Sequence, residues 1–306
     1  MGTQPNNWDA IIILVEVILI PLIVVGNMAI ILTVLTYKKL RKPGDILVTN
    51  LAIVDLLVGL VVLPHDLYDV ISKKYFMVAT PCYITAFLWT LTQTSAVQCF
   101  FFIAVEKYFA IIHPLKHLAH ATNRKAVYAC MVSWVTALSL GVCTLLIHGN
   151  WKTGIQCSYK PSSMTIINFC VVGFFVLASF ITYFRVFTAI SKPSIFPYGS
   201  AAMRSRGSHI KKMKTMAVVF FGFVLLWAPL VIYFFYLIVT RQPSFFLGSK
   251  LFILIGSSNS INNWIVYFCK RDEFRKIVVE FCKRKSEIAE ETKTQTINVI
   301  IPITNI

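Results

Sequence analysis

The chain has 306 residues, of which 57% are hydrophobic and only 14% are charged. Soluble proteins carry about 25% charged residues, so this composition excludes a chain that folds in water alone and indicates a polytopic membrane protein. The formal net charge of +16 does not indicate nucleic-acid binding, because basic residues of membrane proteins collect in cytoplasmic loops. The predicted surroundings are therefore the lipid bilayer, with no nucleic acid.

Seven apolar segments are long enough to cross a membrane as helices. About 20 apolar residues span the hydrocarbon layer, and a helix satisfies its own backbone hydrogen bonds there. The segments comprise residues 11–37, 46–71, 81–112, 125–147, 164–190, 214–239 and 250–268. The first is of span length and lacks a basic leader, so it is interpreted as a signal anchor. The predicted fold is an all-α membrane protein with a seven-helix bundle.

Lysine and arginine are unevenly distributed between the two sets of connecting segments. One set, with the C-terminal tail, holds 21 of them, and the other holds six. The positive-inside rule places the richer side in the cytoplasm, so the N-terminus is expected outside and the C-terminus inside. The predicted regions are an extracellular N-terminus (1–10), a transmembrane domain (11–268), an amphipathic membrane-surface helix (269–282) and a cytoplasmic tail (283–306).

The surface helix is predicted from apolar residues at helical spacing among basic ones, a pattern typical of a helix on the inner leaflet. Cys282 ends it and is followed by Lys-Arg-Lys. The two alternatives for Cys282 are a palmitoylated cysteine and an unmodified thiol.

A carboxylate lies in the middle of the second apolar segment, at Asp55 in the run NLAIVD. An ionised group at that depth is costly and needs polar partners. The candidates on other segments are Asn27, Asn259, Ser260 and Asn263. A structural polar network and a functional ion site are the two interpretations.

Further segments carry residues with a defined physical effect. The third ends in Glu106-Lys107-Tyr108, which offers an acid–base pair. The sixth contains Trp227 and Pro229, and the proline removes a backbone hydrogen bond and bends the helix. The seventh reads NSINNWIVY and ends at Tyr267.

These motifs, and their order along the spans, resemble those of the rhodopsin-like family of G-protein-coupled receptors. The resemblance covers about residues 11–282. The resemblance implies a plasma-membrane receptor that transmits an extracellular small-molecule signal to heterotrimeric G proteins. Arrestin is a further partner that it allows. Enzyme activity is not expected, because no nucleophile–base or metal constellation occurs in the sequence. A transporter is disfavoured by the odd number of spans and the absence of internal repeats.

The resemblance also assigns roles to residues. It implies a disulfide between Cys82 and Cys157, and a sodium ion with water at Asp55. The implied ligand pocket is formed by Trp89, Thr90, Gln93, Trp227, Phe234, Ile253 and Ser257. The implied switch and coupling residues are Glu106, Lys107, Tyr108, Tyr183, Pro229 and Tyr267.

Two departures from the family pattern bear on signalling. Lys107 replaces an arginine and lacks its planar fork of donors. Trp264 replaces the proline of the seventh span. They motivate an alternative, in which the chain has the receptor fold but couples weakly or not at all to G proteins, as a decoy, heteromer partner or arrestin-biased form.

The residues in the outer half of the bundle do not identify the ligand. The run LLVGLVVLP in the second span resembles the amine-receptor branch, but Trp89 occupies the position of that branch's aspartate. A buried ammonium without a partner is costly, so the usual amine mode is unsupported. Glu16, Asp66 or Asp69 are the acids that could substitute for it. Ser257 occupies the position of the retinal lysine of opsins, which disfavours that function.

Overall fold

The structure is a computed structural model that describes residues 7–38, 41–72, 79–148, 163–191, 201–240, 246–270, 275 and 279. Contacts divide the chain into two compact units, Met1–Val266 and Tyr267–Ile306. The helices are α1 Asn7–Thr36, α2 Pro43–Leu57, α3 Leu63–Ser72, α4 Ala79–Ile112, α5 Pro114–His120, α6 Asn123–His148, α7 Ser163–Ile190, α8 Ala201–Thr240, α9 Phe246–Ser257 and α10 Asn259–Lys270. Within the described residues the chain is helical and contains no strand.

Six stretches of the described chain are long and apolar enough to span a membrane. They are Trp8–Thr36, Pro43–Tyr68, Ala86–Ile112, Asn123–Leu146, Ile166–Ile190 and Gly207–Tyr233. They match the first six predicted segments. The seventh predicted segment is divided between α9 and α10, which have 12 residues each.

The predicted surface helix is described only in part. Within 271–282, residues 275 and 279 are helical and exposed, and the other residues lie outside the described part of the chain. The amphipathic helix therefore stays a prediction.

The second span is not a uniform α-helix. Pro43 begins α2 after an extended Lys42 (φ −91°, ψ 158°), as expected where proline opens a helix. A π-helical segment, Val58–Val62, then joins α2 to α3. Gly59 in this segment lies against α1, where a Cβ would be 2.9 Å from Cγ2 of Ile23. The absence of a side chain at Gly59 permits this close approach of the first two spans.

The interior is centred on α4 and on a cluster that joins the first, second and seventh spans. Phe100 and Ile103 of α4 are completely buried. The cluster consists of Leu19, Ile23, Val58, Val62, Leu63 and Leu254. By contrast, α7 exposes much of its apolar surface, for example at Phe174 and Phe184, as expected for a helix that faces lipid.

Candidate functional site

The carboxylate of Asp55 is buried between the second and seventh spans. Asp55 is only 2% exposed to solvent. Ser260 donates a hydrogen bond to Oδ1 at 2.7 Å, and the amide of Asn263 donates to Oδ2. Both donors lie on α10, so two of the four predicted partners contact the carboxylate directly.

Asn27 connects the first span to the same cluster. Its amide donates to the carbonyl oxygen of Ile23 at 2.9 Å and to that of Ser260 at 3.2 Å. Asn259 is also buried, but no hydrogen bond links it to Asp55 within the described residues. The polar cluster thus holds three spans together at mid-membrane depth.

A small cavity lies beside Asp55 and beneath Trp227. It has space of about 10 Å³, close to the volume that one water-sized sphere needs. Its polar lining includes Asp55, Thr92, Gln93, Ser257, Asn259 and Ser260. The cavity lies between the second, third, sixth and seventh spans, and Asp55, Asn259 and Ser260 are the members of the polar cluster that line it.

Several buried oxygen atoms near this level accept no hydrogen bond within the described residues. They are Oδ1 of Asn27, Oδ1 of Asn259, Oδ1 of Asn263 and Oγ of Ser95. Amide, hydroxyl and carboxylate oxygens are the ligands that hard cations prefer. The donor set therefore fits a small hard cation such as sodium. Sequence reasoning missed Ser95, which directly follows the polar residues Thr92, Gln93 and Thr94 of the third span.

Above the cavity, two tryptophans contact each other. The rings of Trp89 and Trp227 are 5.8 Å apart at 67°, an edge-to-face arrangement. Gly256 of α9 makes room for the indole of Trp227, because a Cβ there would lie 2.9 Å from the ring. Phe223 packs below, with its ring 6.2 Å from that of Trp227. Trp227 therefore connects the third span to the inner half of the sixth.

The other residues of the predicted pocket lie at different levels relative to this cavity. Gln93 and Ser257 line the cavity beneath Trp227, whereas Trp89, Thr90 and Ile253 do not. The hydroxyl of Ser257 donates to the carbonyl oxygen of Ile253 at 2.7 Å. The side chain of Phe234 lies outside the described residues.

At the inner end of α4, Glu106 and Lys107 form an ion pair. The second oxygen of Glu106 accepts from Nε2 of His117 on α5 at 3.1 Å. Lys107 is 3% exposed, and a Cβ on Gly44 of α2 would lie 2.6 Å from its ammonium group. Lys107, which stands in place of the family's arginine, therefore forms a compact ion pair with Glu106 and packs against Gly44. Sequence reasoning missed the contact between Glu106 and His117, because this contact depends on how α5 packs against the end of α4.

The other switch residues are placed as follows. Tyr183 is buried and stacks on Phe220 of α8, with ring centroids 5.2 Å apart. Tyr108 packs edge-to-face on Phe109, and Tyr267 is buried. Pro229 lies inside α8.

The side chains of the three cysteines in the two predicted modifications fall outside the described part of the chain. The side chain of Cys82, and all of Cys157 and Cys282, lie outside the described residues. The disulfide and the palmitoylation stay predictions.

Comparison with known proteins identifies the class of protein. A family model described as "7 transmembrane receptor (rhodopsin family)" matches residues 26–267. The chain belongs to this family. It is a G-protein-coupled receptor and a multi-pass membrane protein, not an enzyme, as the sequence predicted.

Individual relatives are receptors for small signalling molecules by name. The histamine H2 receptor of Canis lupus familiaris is 26% identical over 313 residues, covering 97% of this chain and 86% of that protein. The melatonin receptor type 1A of Phodopus sungorus is 26% identical over 293 residues, with coverages of 90% and 81%. These relatives do not favour the alternative of a receptor fold with weak or no G-protein coupling.

Proposed function

We propose that this receptor responds to an extracellular small molecule that acts through Trp89 and Trp227 and is not held by a carboxylate of the third span. The observation that carries the proposal is the edge-to-face contact of the two indoles, 5.8 Å apart. An aromatic ring at Trp89 gives a cation no anionic partner, which favours a neutral ligand. A ligand that displaces Trp89 also moves Trp227, which belongs to the sixth span.

The test is a G-protein dissociation assay with a panel of compounds. Histamine and melatonin are direct probes, because receptors named for both are 26% identical to this chain; purines, short peptides and lipids complete the panel. For any active compound, we expect Trp89→Ala and Trp227→Ala each to reduce potency at least tenfold, with little further loss in the double variant.

The matched control is Trp8→Ala, which removes a tryptophan that is 50% exposed on α1. It should leave potency unchanged at equal surface expression. Full potency in Trp89→Ala would overturn the proposed role of the tryptophan pair.

A second candidate ligand class is a cationic amine, favoured by two buried acids. Glu16 and Asp66 are each 1% exposed. Each lies seven residues along its span from the close approach of Gly59 to Ile23. Amine responses that disappear in Asp66→Asn and persist in Trp89→Ala would select this class.

We also propose that the cluster around Asp55 binds a sodium ion. The support is the set of buried oxygens that, among the described residues, have no hydrogen-bond partner. A bound ion would supply the positive charge that compensates Asp55. Sodium chloride should therefore raise the apparent Tm of the purified receptor relative to choline chloride, and Asp55→Asn should remove the difference. Asp9→Asn, near the start of α1, is the control; a sodium response that survives in Asp55→Asn would contradict the site.

The topology that we propose has an extracellular N-terminus and a cytoplasmic C-terminus in the plasma membrane. It is supported by 21 basic residues on one side and six on the other. An N-terminal epitope tag should be stained on intact cells, and a C-terminal tag only after permeabilisation. Heterotrimeric G proteins, and arrestin as a second partner, would then bind the basic side, which energy-transfer assays with each partner test directly.

A further inference from the structure

A chain of three side chains joins the inner ends of the third and sixth spans through the short helix α5. Glu106 of α4 is 3.1 Å from Nε2 of His117 on α5. The ring of His117 packs edge-to-face on that of His209 at the start of the sixth span, with centroids 5.6 Å apart at 75°. We call these three residues the histidine bridge.

The protonation of His117 follows from its partner. An ionised carboxylate only accepts hydrogen bonds, so Nε2 of His117 must carry the proton. Glu106 then uses one oxygen for His117 and the other for Lys107. The carboxylate thus holds α5 against α4, and α5 presents the imidazole ring to α8.

Lys107 cannot make the same connection through an ion pair. The sequence of α8, Ala201–Thr240, contains no aspartate or glutamate, so Lys107 has no acid to pair with on this helix. His209 is faced by Lys107 and Glu106 of α4, by His117 of α5 and by Lys212 of its own helix. A ring contact is the link that this cationic surrounding permits.

We propose that the histidine bridge holds the cytoplasmic end of the sixth span in the resting position, so that His117 and His209 set the level of basal signalling. The inference rests on the chain acting as a G-protein-coupled receptor. Outward movement of α8 breaks the contact between the two imidazole rings and leaves the Glu106–Lys107 pair intact. Since the sixth span must move for a G protein to enter, the ring contact opposes activation.

The first measurement is basal G-protein activation at equal surface expression. His209→Ala removes one ring and should raise basal activity about two- to tenfold, the range expected for an aromatic pair. His209→Phe keeps a ring of similar size and should return basal activity to that of the unmodified receptor. His117→Ala should match His209→Ala, and the double variant should exceed neither.

Two exposed neighbours provide matched controls. His120 is exposed on the same short helix as His117, and Lys211 is exposed on the same turn as His209. Alanine at either position should leave basal activity unchanged. Equal effects of His117→Ala and His120→Ala, or additive effects of the two bridge variants, would overturn the proposal.

A second measurement separates the histidine bridge from G-protein coupling. Spectroscopic labels at the exposed positions 118 on α5 and 214 on α8 report the distance between these helices in the purified receptor. His209→Ala should lengthen it and His209→Phe should not. A longer distance without any G-protein signal would support the bridge and count against coupling, whereas an unchanged distance would overturn the bridge whatever the signalling result.

Discussion

At the residue scale, Trp264 shows how a departure from a family motif is accommodated. Its indole lies against Gly26 of α1, in the space that a side chain on Gly26 would occupy. The first span therefore carries a glycine opposite the large residue that stands in place of the family's proline. The two positions form one packing unit.

This unit gives the first prediction. Gly26→Ala would place a methyl group inside the indole of Trp264, so it should lower the free energy of unfolding by about 1–3 kcal/mol, as overpacking does. Thermal unfolding in detergent measures the effect. Gly173→Ala is the control, because a Cβ there meets nothing within 4 Å and alanine favours helix; a loss of stability at Gly173 as large as that at Gly26 would contradict the packing explanation.

The sequence identified some of these residues and not others, for a physical reason. Ser260 and Asn263 were foreseen as partners of Asp55 because polar groups within apolar spans must find one another. The contacts of Gly26 with Trp264 and of His117 with His209 were not foreseen. They depend on the rotation of one helix against another and on the path of a short connecting helix, and neither leaves a periodic pattern in the sequence.

At the element scale, the second, sixth and seventh spans each contain a different feature that can bend a helix. The sixth contains Pro229, which the sequence shows directly. The seventh is interrupted at Ser258, where the hydroxyls of Ser257 and Ser258 both donate to preceding carbonyl oxygens, an arrangement that bends helices. The second contains the π-helical segment Val58–Val62, which its residue types do not predict. Proline is thus the one helix-bending feature of the three that was readable in advance.

The proline inside α8 is the basis of the second prediction. Pro229→Ala restores a backbone donor to α8, so the helix should straighten and the receptor should become more stable to heat while its ligand-evoked signal falls severalfold. Pro21→Ala is the matched control, since Pro21 also lies inside a span but is exposed on α1. Thermal unfolding and G-protein dissociation together check the result, and a stabilised variant with full signalling would show that the bend is not needed.

At the scale of the whole molecule, the all-helical fold followed from composition and segment length. Lipid leaves a chain few ways to satisfy its backbone, so apolar length alone located the first six spans. The ligand pocket is harder to predict, because its residues come from different spans; of Thr90, Gln93 and Ile253, only Gln93 lines the cavity beneath Trp227. Closure of a site between helices depends on side-chain packing, which span-level patterns do not encode.

The last prediction concerns signal transfer from the bundle to the G protein. Lys107 carries the charge of the family's arginine as a point charge, paired with Glu106 and packed close to Gly44. Lys107→Arg adds a planar fork that can keep one donor on Glu106 and present others to a bound G protein, so ligand-evoked activation should rise severalfold. Lys116→Arg, at an exposed position on α5, should have no effect, which separates a specific gain from added arginine on the cytoplasmic face. Dose–response curves for G-protein dissociation measure the change. If Lys107→Arg gives no gain, the missing arginine does not limit coupling, and the histidine bridge becomes the site at which the cytoplasmic end of this receptor is controlled.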